Sequence, residues 1–390
     1  MGYLRELLPN MVRYRLAHWG LAPPGKPINL TFSVTNVCQS RCKTCQIWDL
    51  YRQDPAKRDE ELTIAEISRI FRSMGHIYLF NVSGGEPFLR PDFVEIIAAA
   101  VKYLTPGIIH IPTNALALKQ SERKISAILD LLNRNSRHTQ LTIKPSMDHV
   151  GPKHDDIRGV PGNFDKVMEL FDRLKAKKND YPNLHVELGT VISRWNVDDI
   201  EEIAAYVTGL GVDSYRNEIA EQRSEMFNLE DDITPPPDQY RRAIALFERQ
   251  IRANMRDKVL FQRITNAFRL VYYQLAIKIM QHNRQVIPCY AGISNAHMTP
   301  YGDIWACCTL GYERSMGNLR DFDYDFGKLW NSPRARQVRR FIRNRHCACP
   351  LANQTYSNIL MHPRSLMRVV IEIFSAGTSA GTIAEGQGKP

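Results

Sequence analysis

Six short runs of β-branched, aromatic and aliphatic residues punctuate the first 220 positions, at 28–35, 77–84, 107–114, 141–148, 185–193 and 212–220. Each is too short for a typical helix and reads as a strand. Between them apolar positions recur every three or four residues, which predicts helices over 64–74, 92–104, 122–133, 164–177 and 197–209. Thr63 and Glu66 stand at the spacing of a capping box ahead of the first of these. Strands alternating with helices on this scale predict βα units on a parallel sheet. Six units fall short of the eight in a closed barrel. The expected fold is therefore α/β, a partial (β/α)6 TIM-like barrel with its chemistry at the C-terminal strand ends, followed by a small cysteine-rich domain.

After residue 225 the alternation stops. A proline-rich turn over 229–240 leads into 238–283, which reads as two helices without strands. Residues 289–350 hold five of the eight cysteines and little regular periodicity, as a metal-stapled module would. These shifts divide the chain into an N-terminal amphipathic segment (1–27), the barrel (28–225), a helical connector (226–288), the cysteine-rich domain (289–350), and a C-terminal helix with a tail (351–390). The tail from 375 is flexible by composition. No internal repeat is found.

Composition changes the picture in three ways. The 390 residues carry a formal net charge of +10, which points to an anionic partner. No apolar run approaches the ~20 residues of a membrane span, and the N-terminus lacks the pattern of a signal peptide. A cytoplasmic location follows as the expectation, where thiols stay reduced and clustered cysteines hold metal more often than they form disulfides. The stretches 3–21 and 366–374 have apolar and arginine residues at helical spacing. Packing against the barrel is their commoner fate, with weak peripheral membrane contact as the second option. The run 334–345 has six arginines, for which a solvated helix face is the default. Base-reading motifs are absent and interleaved aromatics sparse, so no nucleic-acid partner is expected.

Three cysteines, Cys38, Cys42 and Cys45, lie within eight residues. Three thiolates cannot complete tetrahedral zinc without a distant fourth ligand. In a [4Fe–4S] cluster they would leave one iron open to a small molecule. Spacing alone leaves both readings open. The pattern Cys38-x3-Cys42-x2-Cys45 directly after the first strand resembles the radical S-adenosylmethionine (SAM) superfamily. That resemblance implies a [4Fe–4S] cluster on these cysteines whose open iron binds SAM. It further implies that Gly84, Gly85, Glu86 and Pro87, ending the second strand, meet the SAM amino group. Asn114, after Thr113, ends the third strand, and Ser146 and Asp148, ending the fourth, would face the ribose. The segment 189–193 would flank the adenine. Thr44 stands where the family commonly has an aromatic residue, which leaves Ile47 and Trp48 as candidates to pack the base.

The remaining cysteines are Cys289, Cys307, Cys308, Cys347 and Cys349, with a Tyr-Gly-Asp turn at 301–303. Their order resembles the SPASM or shorter twitch auxiliary-cluster module. Too few cysteines are present for two clusters, so the resemblance implies one auxiliary [4Fe–4S] cluster on Cys289, Cys307, Cys347 and Cys349. Spacing alone would also suit zinc on the same four. Cys308 is left out, because consecutive residues in an extended strand face opposite sides.

The expected protein is a radical SAM oxidoreductase. It would cleave SAM reductively and abstract hydrogen from a small-molecule substrate, sugar-like, phosphorylated or lipid-linked and expected to be anionic. The auxiliary cluster would take the second electron, and a flavodoxin or ferredoxin would serve as reductant. Lys144, Arg216, Glu221 and Arg223 are the substrate-binding candidates, with Glu218 beside them, whereas 154–159 reads as structural or lid-forming. Two alternatives are carried: a peptide or protein maturase of the same superfamily, against which the mere 27 residues before the barrel count, and a non-catalytic zinc-binding scaffold.

Overall fold

The computed structural model describes residues 2–255 and 258–375. Strands β1 (Asn29–Ser33), β2 (Leu79–Ser83), β3 (Ile108–Thr113), β4 (Gln140–Pro145), β5 (Leu184–Ile192) and β6 (Ser214–Ile219) occupy the six predicted runs. They pair in sequence order, each parallel to the next. Helices over Ile64–Met74, Phe93–Tyr103, Leu118–Asn135, Asn163–Lys177 and Ile200–Gly209 return the chain between strands. The fold is the expected α/β partial barrel.

The helix at Ile64–Met74 shows how pattern becomes packing. Thr63 and Glu66 close a reciprocal capping box at its start. Its buried residues Ile67, Ile70, Phe71 and Met74 form one stripe against the sheet. There Phe71 meets Phe32 of β1 and Phe80 of β2 edge-on, with centroids 6.0 and 5.6 Å apart.

The cysteine-rich region is less separate than its sequence suggests. Strands β7 (Asn295–Met298), β8 (Asp303–Trp305) and β9 (Gly317–Asn318) extend the same sheet. Its order is β6-β5-β4-β3-β2-β1-β7-β8-β9, with β7 parallel to β1 and the last two pairings antiparallel. These strands are two to four residues long, too short for periodicity to show them. The β7–β8 turn docks on the first cysteine loop: the Asn36 side chain donates to Tyr301 Oη at 3.1 Å, and Leu62 N–H donates to the Pro300 carbonyl at 2.7 Å.

The connector forms helices at Pro237–Asn254 and Leu260–His282. Residues 351–375 form two helices rather than one, Ala352–Met361 and Pro363–Ser375. The expectation of a flexible tail falls on 376–390, outside the described residues. The N-terminal helix Gly2–Trp19 packs Met11 and Tyr14 against Tyr290, Ile293 and Met361. No described helix is long and apolar enough to cross a membrane. The arginines of helix Pro333–Arg343 serve the fold in part. Arg334 donates to the Ser315 carbonyl at 2.7 Å, Arg343 to that of His18 at 3.2 Å, and Arg339 lies over the Trp330 ring.

Candidate active site and auxiliary cysteine cluster

A cavity of about 270 Å3 opens at the C-terminal ends of the barrel strands. Cys38, Cys42 and Cys45 line it from the loop after β1. The loop is held by its neighbours: Arg41 and Lys43 N–H donate to the carbonyls of Arg158 and Ile157, and the Asn228 side chain donates to the Thr44 carbonyl at 2.7 Å. Donors aim at the sulfurs. Arg158 Nη1 stands 3.3 Å from Cys42 Sγ, and Asn114 Nδ2 stands 3.7 Å from Cys38 Sγ. Burial, and then the adjacent Cys42, push the Cys38 thiol up to about 12, and the same two causes raise Cys45 further. Three thiols lining one space, two of them facing a cationic or amide donor, suit a shared metal centre better than three free side chains. The residues fit a cluster held by three cysteines.

The Gly-Gly-Glu-Pro segment also braces the cysteine loop. A Cβ on Gly84 (φ +118°) would lie 2.2 Å from the Thr35 carbonyl oxygen, and one on Gly85 would lie 2.3 Å from that of Val37. The glycines thus let this segment press against the cysteine loop, with Gly85 and Glu86 N–H donating to those two carbonyls. Both Glu86 carboxylate oxygens are engaged. One accepts from the Thr113 hydroxyl at 2.9 Å and Phe88 N–H at 3.3 Å, the other from Asn114 N–H at 2.8 Å. Burial outweighs these bonds and raises the Glu86 pKa to about 7.

Gly84, Gly85, Glu86, Asn114 and Ser146 line the cavity, as do Ile47, Trp48 and Val191. Pro87 and Asp148 are not on its wall. Pro87 is buried at the start of a short 3-10 turn. Asp148 turns its carboxylate away, accepting from Val191 N–H at 2.8 Å and pairing with Arg158 at 3.2 Å. Arg158, paired with Asp148, is the same side chain that reaches Cys42. The segment 154–159, expected to be structural or lid-forming, thereby reaches the cysteine site.

The far wall is charged and largely self-paired. Arg216 lies 3.3 Å from Glu187, Lys144 lies 3.9 Å from Glu218, and Arg223 lies 3.5 Å from Glu221. Lys144, Arg216, Glu221 and Arg223, the four substrate candidates, all face the cavity. Burial alone would raise Glu187, but Arg216 and His110 hold it well below the usual carboxylate range. Glu221 goes the other way: burial raises it to about 7 against the pull of Arg223. Sequence reasoning missed His110, Glu225, His297 and Gln354 in the cavity lining, and it set Cys308 aside as a cluster ligand without giving it a place here. No motif marks them, and they come from six different stretches of chain together with the candidates.

Cys289, Cys307, Cys347 and Cys349 line a second, smaller void of about 30 Å3. Gln285 donates to Cys347 Sγ at 3.6 Å. Burial, followed by the neighbouring thiols, pushes Cys289 and Cys307 up to about 12. This donor set likewise fits a cluster or a tetrahedral metal. Cys307 lines both voids, Gln354 does the same, and Cys308 lines only the larger one.

Comparison with known proteins agrees with this layout. The radical SAM superfamily model matches residues 32–207, and the SPASM iron–sulfur cluster-binding domain model matches 289–350. Among curated proteins, a GTP 3′,8-cyclase of Staphylococcus carnosus is 34% identical over 106 residues, covering 26% of this chain and 31% of the cyclase. The mycofactocin maturase MftC of Mycolicibacterium smegmatis is 26% identical over 195 residues, covering 47% and 43%. The chain thus spans less than half the length of either relative. Among solved structures, Streptococcus suis SuiB bound to S-adenosylmethionine superposes with a TM-score of 0.57 at 14% identity, over 81% of this chain and 68% of SuiB.

Proposed function

The chain belongs to the radical SAM superfamily and carries its SPASM iron–sulfur domain, and from that premise we propose that it oxidises a polar residue of a peptide. The observation that carries this reading is the shared cavity: the three-cysteine loop and Cys307 of the auxiliary set line one space. A substrate there lies between a site of hydrogen abstraction and an electron acceptor. Bound together, SAM and its cluster supply reductive cleavage of SAM and abstraction of a hydrogen atom. The chain's own residues do the rest. Cys38, Cys42 and Cys45 hold the cluster, with Arg158 and Asn114 donating to the sulfurs. Gly84, Gly85, Asn114 and Ser146 border the SAM space, Ile47 and Trp48 offer apolar surface to its base, and Glu86 holds that wall together. Cys289, Cys307, Cys347 and Cys349 hold one auxiliary cluster, fully ligated and so suited to electron transfer.

Charge pairing favours a peptide over the phosphorylated small molecule expected from sequence. Lys144, Arg216 and Arg223 each face a glutamate, so the wall presents no unpaired cationic cluster to a phosphate. Alternating donors and acceptors suit a zwitterionic or amide-bearing group instead. The relative named as a maturase supports the same direction, while the cyclase relative keeps a nucleotide as the second reading. Anaerobically reconstituted protein with dithionite and SAM should release 5′-deoxyadenosine, and Cys42→Ala should abolish that release. Precursor peptides encoded beside the gene should accelerate it. Acceleration by GTP and by no peptide would overturn the peptide reading.

A further inference from the structure

Outside both cysteine sets, three buried ligand-type side chains converge on the floor of the large cavity. Glu225 follows β6, His297 sits on β7 and Cys308 follows β8. One ligand atom from each lies within 4.8 Å of the other two. His297 Nε2 is 3.2 Å from Glu225 Oε1. Ligand atoms around a tetrahedral zinc, at bond lengths of about 2.0–2.3 Å, stand roughly 3.3–3.8 Å apart. The trio therefore needs little adjustment to close on one ion.

We propose that Glu225, His297 and Cys308 bind a single divalent transition-metal ion of the zinc type, separate from either iron–sulfur cluster. Thiolate, imidazole and carboxylate together are a borderline donor set, which selects such an ion over magnesium or calcium. A thiolate and a carboxylate carry two negative charges, which a divalent ion cancels in a buried setting. The site is built on rigid parts. His297 is fixed in the parallel β1–β7 register opposite Thr31, and its ring lies against Trp305 at 5.2 Å. The Ser33 hydroxyl donates to Glu225 Oε1 at 2.8 Å and so holds that carboxylate in place, while its 2.8 Å contact with His297 Nε2 is the one the ion would replace. Three protein ligands leave a fourth position, and all three line the large cavity, so that position faces the substrate space. An oxygen, nitrogen or sulfur of the substrate would complete the coordination there.

The site is tested by its metal rather than by turnover, so it stands or falls independently of the peptide reading. Protein carrying its full iron is exposed anaerobically to zinc sulfate and then passed through a chelating column. About one zinc per chain should remain, and zinc K-edge absorption should show one sulfur at about 2.3 Å with nitrogen or oxygen at about 2.0–2.2 Å. Cys308→Ser should remove the sulfur shell, and both it and His297→Gln should weaken zinc retention about tenfold or more with iron content unchanged. Absence of retained zinc overturns the proposal. So does a four-sulfur shell, which would place zinc in a cluster site, or a Cys308→Ser spectrum like that of the parent. Loss of iron in Cys308→Ser overturns it too, by making Cys308 a cluster ligand.

Discussion

At Glu86 one buried carboxylate holds three donors from two segments, and this decides what its replacement does. Glu86→Gln puts an amide –NH2 where one oxygen accepted from a backbone N–H, so two donors face each other in a buried site. The expected loss is about 1–3 kcal/mol of stability, with lower cluster retention as the wall loosens. Thermal melting and iron analysis of the variant check this; weaker SAM binding with both unchanged would return Glu86 to a purely ligand-binding role. The contrast shows how far single residues were legible. Cys38, Cys42 and Cys45 announce themselves because one loop carries all three. Glu86 was visible as a motif, but its bonds to Thr113 and Asn114, at the end of another strand and just after it, were not. Arg158, His297 and Glu225 carry no local signature at all. Only the folded sheet brings them onto the cavity wall.

Elements were legible where pattern is long enough to repeat. Helix Ile64–Met74 has a cap, a stripe and a length that all agree, whereas β7, β8 and β9 are too brief to alternate, and only the Tyr-Gly-Asp turn at 301–303 marked the β7–β8 hairpin. Even the well-read helix held a hidden connection. Its capping residue Glu66 also accepts from Arg320 at 2.8 Å and from the Tyr324 hydroxyl at 2.8 Å, joining the barrel to the segment after β9. Partial burial alone would raise the Glu66 pKa, but Arg320, Thr63 and Tyr324 together lower it to about 2. A depressed folded-state pKa contributes stability above the unfolded value, 4.5, that is lost as pH falls toward 2. Glu66→Ala should therefore cost on the order of 1 kcal/mol near neutrality. The gap between variant and parent in urea unfolding should narrow as pH drops through that window. A gap independent of pH would mean that the carboxylate charge contributes nothing and only the packing of the cap matters.

Across the whole molecule, sequence predicted two modules, and the structure joins them into one nine-stranded sheet with two separate thiol sites. Their separation has a measurable consequence. The auxiliary thiols come from the end of the connector, the segment after β8 and residues 347–349, and the void they line is bordered by none of Cys38, Cys42 or Cys45. The hairpin tip does touch the first loop, but through Asn36, and it reaches Tyr51 on the following helix Ile47–Gln53, whose hydroxyl is 2.9 Å from Tyr301 Oη. Glu61 anchors the same loop from below, accepting from the Thr35 and Tyr51 hydroxyls at 2.7 Å each. The dock should thus survive when the three loop thiols are removed. Two [4Fe–4S] clusters amount to roughly eight irons per chain. The combined variant Cys38→Ala, Cys42→Ala, Cys45→Ala should keep about half of that as one intact cluster, with visible absorbance reduced in proportion. Iron and sulfide analysis after anaerobic reconstitution reads the result. Near-complete loss of iron would mean that the first cluster is what organises the second site, and that the sheet alone does not.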